Sequence, residues 1–255
     1  MSETTIKNRH GLDLVIAPEV ADNQKGLVFI AHGLGGYRTQ RHIQDFAQPF
    51  REAGYTLVLW DATNSFGQSG GDYEQATTTN YYEDLQDVVA WATDQDWYEE
   101  PFVLAAHSLG GMSVALYAQE HPEQVKALAP ISTVVSGKLS ALAFGEEFLM
   151  EWKRRGYREE PRHEGGVKKL QWSHMEDRLK YDLLTSAHRL TMPVLLMVGG
   201  GDVRTPYEHQ KMFFDAIPQG KKELHVIPDV EHSFRPNENS SEQIQSYFRD
   251  WIAKL

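Results

Sequence analysis

The 255-residue sequence contains no cysteine. This absence excludes disulfide bonds, thiolate metal sites and a cysteine nucleophile. No apolar run approaches the roughly 20 residues that a membrane-spanning helix needs. The N-terminal residues also lack the apolar core of a secretory signal peptide. We therefore expect a cytoplasmic protein that has no membrane partner.

Positive charge is scarce as well. The chain has 25 Lys and Arg against 36 Asp and Glu, which gives a formal net charge of −11. An acidic surface repels nucleic acid and anionic membranes, so neither is an expected partner. Hydrophobic residues make up 41% of the chain, which indicates a packed globular core rather than disorder.

Short apolar runs alternate with segments of helical spacing in the first half of the chain. Four such runs predict strands, at residues 26–31, 55–60, 102–106 and 125–131. Helices are predicted between them, at residues 38–53, 79–91 and 109–120. Because the strands are apolar throughout, both faces of the sheet should be covered by helices. The fold class is therefore α/β with a mainly parallel sheet, preceded by a β-hairpin at residues 4–20.

The pattern changes at residue 134. Residues 134–186, which we call the 134–186 segment, contain no convincing strand pattern and predict a helical lid inserted into the core. The alternation then resumes, with strands expected at residues 194–198 and 223–227 and helices at residues 206–217 and 241–253. The chain thus divides into a first core part (1–133), the lid (134–186) and a second core part (187–255).

Ser108 lies between a predicted strand and a predicted helix. A tight strand-to-helix turn holds a nucleophilic serine in strained backbone geometry, and this requires small residues two positions before and after it. Ala106 and Gly110 meet that requirement, although the strict pattern has Gly at the first position. A serine that only caps the helix would have a similar sequence. The strand–turn–helix context favours the nucleophile.

A serine hydroxyl is a weak nucleophile at neutral pH, so it needs a general base and a group that orients this base. In folds with such a turn, the chain order is Ser, then Asp or Glu, then His, on loops after late strands. Asp202 follows one late strand and three glycines, and His232 follows the next strand. Both residues therefore fit the expected order and placement.

Several alternatives to these assignments remain open at this point. Asp202 could be a first-turn acid of the following helix, and Asp229 or Glu231 could orient His232 instead. His107 is a rival base, but its side chain should diverge from that of the neighbouring Ser108, which makes it a supporting residue.

An acyl-transfer site also needs two backbone N–H groups that stabilise the developing oxyanion. Leu109, directly after the nucleophile, should supply one, and Leu34 in the Gly-rich loop after the first core strand should supply the other. This loop matches neither GxGxxG nor GxxxxGK[ST], so no nucleotide is expected there. We expect no cofactor and no metal ion.

In these features the chain resembles the α/β-hydrolase superfamily over nearly its whole length. It is similar in detail to bacterial cinnamoyl/feruloyl-esterase-like and monoacylglycerol-lipase-like members with an inserted helical lid. The matching segments are His32-Gly33-Leu34, Asp61 with Gly67-Gln68-Ser69-Gly70-Gly71, Ala106 to Gly111, Gly201-Asp202 and His232-Ser233-Phe234. The resemblance implies a catalytic triad of Ser108, Asp202 and His232, with Leu34 and Leu109 as oxyanion donors. It departs at Asn64-Ser65-Phe66, a loop expected beneath the active-site face.

Aromatic residues are frequent in the 134–186 segment. Four of them are candidates for an acyl or aryl pocket: Phe144, Phe148, Trp152 and Trp172. For any one of them, a place in the small core of the lid is an alternative. Basic residues in the segment should form a solvated helix face; they are Lys153, Arg154, Arg155 and Arg158.

The expected activity is hydrolysis of carboxylic esters of small to medium acyl or aryl acids through an acyl-enzyme on Ser108. A thioesterase, a peptidase or a C–C hydrolase would use the same triad. A non-catalytic ligand-binding module on this fold is a further alternative. The expected partner is a small-molecule ester, and the sequence leaves the oligomeric state open, with a homodimer as one arrangement.

Overall fold

The computed structural model describes residues 3–161, 165–234 and 238–255. Its main feature is an eight-stranded sheet. The strands are β1 (Thr4–Lys7), β2 (Asp13–Glu19), β3 (Leu27–Ala31), β4 (Thr56–Asp61), β5 (Phe102–His107), β6 (Val125–Ile131), β9 (Val194–Gly199) and β10 (Lys222–Ile227). Their order is β1-β2-β4-β3-β5-β6-β9-β10. β1 and β2 form the antiparallel hairpin expected from the sequence, β2 is antiparallel to β4, and all other pairs are parallel.

Helices cover both faces of this sheet. They are α1 (Arg41–Glu52), α2 (Thr78–Ala92), α3 (Ser108–Glu120), α7 (Tyr207–Ala216) and α8 (Glu238–Ile252). α1 and α8 bury Phe46, Phe50, Phe248 and Trp251 on one face. α2, α3 and α7 pack against the other face. The central strands are buried on both sides, which is why their sequences show no polar alternation.

The strands of the core begin and end within one residue of their predicted positions. α1 begins at Arg41, three residues later than predicted, because the chain before it forms turns. It ends before Gly54, whose φ of +79° is a left-handed conformation that favours glycine. Among the residues that the structure describes, no helix is both long and apolar enough to cross a membrane.

The 134–186 segment is not purely helical. It contains α4 (Gly137–Phe144), α5 (Glu146–Arg155), α6 (Ser173–Arg178) and an antiparallel strand pair, β7 (Tyr157–Pro161) with β8 (Val167–Gln171). The prediction that the segment holds no strand is therefore wrong. The pair is polar, with Glu159 opposite Lys169 and Glu160 opposite Lys168, so opposite charges across the strands replace the apolar alternation.

A third hydrophobic cluster joins this segment to the core. Trp152, Leu170 and Met175 pack there against Tyr73 and Leu109. Leu109 directly follows Ser108, so the cluster fixes the segment above the turn that carries the serine. The domain boundaries at residues 133 and 187 remain predictions.

Candidate active site

Ser108 occupies the sharp turn between β5 and α3. Its φ is +53°, a conformation that side-chain-bearing residues seldom adopt. A glycine at 110 is needed because an added Cβ would lie 2.4 Å from the backbone oxygen of His32. At Gly33 an added Cβ would lie 2.9 Å from His107 Nδ1 and 3.1 Å from Ser108 Cβ. The turn and the Gly33 loop are thus packed too closely for any side chain between them.

The structure brings Ser108, His232 and Asp202 together. Ser108 Oγ lies 2.8 Å from His232 Nε2, and His232 Nδ1 lies 2.9 Å from Asp202 Oδ2. Asp202 follows β9 and His232 follows β10, so three parallel strands deliver the three side chains to one edge of the sheet. Asp229 and Glu231, the alternative orienting acids, have exposed side chains. The ring of His232 is held by Asp202.

Asp202 is fixed by more than His232. Its Oδ1 accepts hydrogen bonds from the backbone N–H groups of Arg204 and Thr205, both at 2.9 Å, and Thr205 Oγ1 lies 2.8 Å from Oδ2. Burial acts to raise the pKa of Asp202, but the hydrogen bond and charge of His232 and the hydrogen bonds from Thr205 outweigh it. The pKa of Asp202 is therefore well below its usual range, and the side chain is a carboxylate at neutral pH.

His107 does not contact the serine hydroxyl as a base. Its Nε2 donates to the backbone oxygen of His232 at 2.9 Å, and its ring packs 4.7 Å from that of His42 and 5.5 Å from that of Phe234. Burial, together with the neighbouring His42 and His232, lowers the pKa of His107 well below its usual value. His107 is a neutral donor that positions the loop of His232.

The Gly-rich loop after β3 faces the same turn. His32 Nδ1 donates to the backbone oxygen of Gly33 at 2.8 Å, and the N–H of Gly35 donates to Tyr81 Oη at 2.9 Å. Because the N–H of Gly35 is already hydrogen-bonded, the backbone N–H of Leu34 is the candidate donor to a substrate oxyanion in this loop. Leu34 lines the cavity over Ser108, and Leu109 is buried at the start of α3.

A cavity of about 1010 Å³ opens over Ser108 and His232. Of the four aromatic residues proposed for a pocket, Phe144 lines it. The structure does not bring the other three to the wall: Trp152 is 1% exposed and donates to the backbone oxygen of Leu170, Trp172 packs on Trp152, and Phe148 is 40% exposed. These three side chains form the internal packing and outer surface of the 134–186 segment.

Two residues of the cavity wall differ from their sequence interpretation. Arg158 is not on a solvated helix face; it lies in β7, 6% exposed, with its guanidinium 4.6 Å from the centre of the Trp152 ring. Phe66 lies in the cavity wall rather than beneath the site, and its ring stacks on Tyr73 at 4.4 Å. Phe66 lies in a loop and Arg158 in a short polar strand. Neither element has a hydrophobic period from which the direction of these side chains could be predicted.

No group of three or more His, Cys, Asp or Glu residues in the described parts of the chain could hold a metal ion.

The sequence matches a known family over most of its length. Residues 22–158 and 150–239 match the family described as "Serine aminopeptidase, S33". The chain belongs to this family of α/β-hydrolases. The matched ranges include Ser108, Asp202 and His232, and the family resemblance inferred from the sequence motifs is confirmed.

Solved structures show the same fold for this S33-family hydrolase. It superposes with a TM-score of 0.80 on the ferulic acid-bound Est1E from Butyrivibrio proteoclasticus, at 24% identity, covering 98% of this chain and 99% of that one. The TM-score is 0.83 for the mouse alpha/beta hydrolase domain-containing protein 10, at 20% identity and complete coverage of both chains. The predicted fold class, a mainly parallel α/β-hydrolase sheet covered by helices, is therefore confirmed.

Curated relatives of this S33-family hydrolase include proteins that carry a functional name. The mitochondrial palmitoyl-protein thioesterase ABHD10 of Bos taurus is 25% identical over 209 residues, which cover 80% of this chain and 66% of the relative.

Proposed function

We propose that this hydrolase cleaves carboxylic esters through an acyl-enzyme formed on Ser108. The observation that carries the proposal is the continuous chain of contacts from Ser108 Oγ through the His232 ring to the Asp202 carboxylate, at 2.8 and 2.9 Å. These distances are those required for a nucleophile, its general base and the group that orients the base.

The reaction follows from this arrangement in two halves. His232 Nε2 takes the proton of Ser108 Oγ as the oxygen attacks the ester carbonyl, and the resulting imidazolium is stabilised by the Asp202 carboxylate. His232 then gives this proton to the leaving alcohol. In the second half, His232 removes a proton from water as the water oxygen attacks the acyl carbonyl, and it then gives this proton to Ser108 Oγ as the bond between Oγ and the acyl group breaks. The backbone N–H groups of Leu34 and Leu109 would stabilise the oxyanion in both halves.

The cavity supports acyl or aryl groups of small to medium size. Its volume of about 1010 Å³ lies at the upper end of the range for small-molecule sites. Phe66, Tyr73 and Phe144 supply aromatic surface for an apolar acyl or aryl group. Contact with Trp152 or Trp172 is not part of this proposal because both side chains are occupied in packing.

A thioester is the second candidate substrate. The named function of the Bos taurus relative, a palmitoyl-protein thioesterase, favours it, and the same steps apply with a thiol as leaving group. An aminopeptidase reaction is less favoured by the charges of the site. Among the described residues that line the cavity, five are Lys or Arg and one, Glu231, is acidic. A positively charged substrate amine would be repelled there.

The test is hydrolysis of p-nitrophenyl esters from acetate to dodecanoate, methyl ferulate and matched acyl thioesters. We expect turnover by the wild-type protein with an optimum in acyl length, and loss of turnover in Ser108→Ala. The matched control is Ser113→Ala, because Ser113 is buried on α3 and its hydroxyl donates to the backbone oxygen of Leu109. This control should keep the activity. Full activity of Ser108→Ala would overturn the proposal.

A further inference from the structure

Two arginines of the 134–186 segment line the cavity together with the residues of the Gly-rich loop. Arg158 belongs to β7 and Arg178 is the last residue of α6, and they are 6% and 5% exposed. Long cationic side chains are seldom buried to this extent unless a partner neutralises them. The partners of the two guanidinium groups therefore decide what the cavity can bind.

Arg178 is surrounded by neutral partners. Its Nη1 donates to Ser140 Oγ at 2.8 Å and its Nη2 donates to His174 Nε2 at 2.6 Å. His174 Nδ1 donates in turn to the backbone oxygen of Ala76 at 2.8 Å, so the ring is neutral. Burial and the charge of Arg178 lower the pKa of His174 well below its usual value, which agrees with this assignment. No carboxylate in the described part of the chain contacts Arg178.

Among the described residues, Arg158 has one acidic partner, and it shares this partner with other cations. Glu160 pairs with Arg158 and also with Lys168 at 2.9 Å and Arg204 at 3.5 Å. All of these cations line the cavity. With Arg178, the cavity wall thus has four cationic side chains for which, among the described residues, Glu160 is the one directly paired carboxylate. This local excess of positive charge occurs in a protein whose formal net charge is −11.

Each of the two arginines also has an unused donor. The Nε atoms of Arg158 and Arg178 are buried and have no hydrogen-bond partner among the described residues. Burial and the nearby charge of Arg158 lower the pKa of Arg178 to about 9, although the charge of Asp177 acts in the opposite direction. Burying a cation without a directly paired counter-charge, as at Arg178, is destabilising, and an anionic group in the cavity would offset this penalty.

We propose that Arg158 and Arg178 form a subsite for an anionic oxygen group, a carboxylate or a phosphate, on the substrate hydrolysed at Ser108. This proposal rests on the proposed ester hydrolysis and specifies its substrate class: an ester or thioester with a second, negatively charged group remote from the scissile bond. Arginine suits such groups because its planar donors match the oxygen atoms of carboxylates and phosphates.

The experiment compares two p-nitrophenyl esters of equal chain length, the octanoate and the monoester of suberic acid, which ends in a carboxylate. We expect the wild-type protein to have the higher kcat/KM for the suberate. Arg178→Gln and Arg158→Gln should lower the ratio of kcat/KM for the suberate to kcat/KM for the octanoate roughly 10- to 100-fold, the range for a lost hydrogen bond to a charged group. Arg154→Gln, which removes an exposed charge from the same segment, should change neither.

A second measurement needs no variant. Free suberate and inorganic phosphate should inhibit octanoate hydrolysis competitively, and the stronger inhibitor identifies which anion the subsite prefers. A second matched pair, 4-carboxyphenyl butyrate and phenyl butyrate, carries the charge on the leaving group instead of the acyl group. Comparing the two pairs shows whether the subsite binds an anion on the acyl side or on the alcohol side of the ester. Preference for either charged ester supports the subsite.

The proposal is overturned if the wild-type protein prefers both neutral esters and neither anion inhibits it, or if the arginine variants slow both members of a pair equally. If the protein hydrolyses no ester at all, the proposed function fails, and the subsite is tested separately. Calorimetry should then show suberate bound by Ser108→Ala and not by Ser108→Ala with Arg178→Gln; an absence of binding to both would refute the subsite.

Discussion

The orienting role that we propose for Asp202 can be tested with a substitution that keeps its shape, Asp202→Asn. Oδ1 of Asp202 accepts two backbone N–H groups, those of Arg204 and Thr205. An amide NH₂ cannot replace an acceptor there, so the oxygen of Asn must take the Oδ1 position. The NH₂ group then points at His232 Nδ1, where the carboxylate oxygen was. A donor facing Nδ1 requires Nδ1 to be the acceptor.

The consequence is a change of tautomer. With Nδ1 as acceptor, the neutral His232 ring carries its proton on Nε2, which faces Ser108 Oγ at 2.8 Å. Nε2 can then no longer accept the serine proton. We expect kcat to fall roughly 10⁴-fold, the loss associated with this change in a Ser-His-Asp triad. That factor corresponds to about 5 kcal/mol of transition-state stabilisation.

The assay is steady-state hydrolysis of a p-nitrophenyl ester, with Asp229→Asn and Glu231→Gln as matched controls. Both control side chains are exposed, and Asp229 has a φ of +57° that asparagine tolerates. We expect both controls to retain near wild-type kcat/KM. The reasoning is refuted if folded Asp202→Asn keeps more than a tenth of the wild-type kcat, or if either control loses as much as it does.

Two further predictions concern stability. Trp152→Ala should lower the free energy of unfolding by about 3–5 kcal/mol, the range for removing a buried aromatic side chain. Phe148→Ala, at a 40% exposed position, should lower it much less. Equal losses in urea denaturation would contradict the packing role of Trp152. Burial and Arg178 lower the pKa of His174 in the folded state, so the unfolded chain binds the extra proton. Stability should be complete above about pH 6.5 and fall below it by up to about 1.4 kcal/mol per pH unit for this histidine. His174→Gln should reduce the slope of the unfolding free energy against pH, whereas His188→Gln, at an exposed position, should not. Identical slopes in the wild-type protein and both variants would refute the lowered pKa of His174.

Much of the core could be predicted from the sequence because its patterns have local physical causes. A strand buried on both faces must be apolar throughout, so β3, β5 and β9 stand out from their surroundings. The turn at Ser108 needs small neighbours for steric reasons that appear directly in the residues on either side. The chain order of Ser108, Asp202 and His232 then follows from the order of the strands that carry them.

The 134–186 segment was harder to predict because its structure depends on contacts distant in sequence. β7 and β8 place charged residues opposite each other across the pair, so the hydrophobic period that identifies a strand is absent. Arg158 follows three exposed cations in the chain, yet β7 turns it inward against Trp152. The role of Trp152 itself, packing rather than pocket lining, is decided by Leu170 and Trp172, which come together with it only in three dimensions.

The central claim is that Ser108 is an activated nucleophile, and stoichiometric labelling with a fluorophosphonate tests it most directly. Intact-mass measurement should show one label per chain on the wild-type protein, with peptide mapping to Ser108. The label should be absent from Ser108→Ala and strongly slowed in His232→Gln. A folded wild-type protein that takes up no label, or takes it up at another serine, would contradict the account.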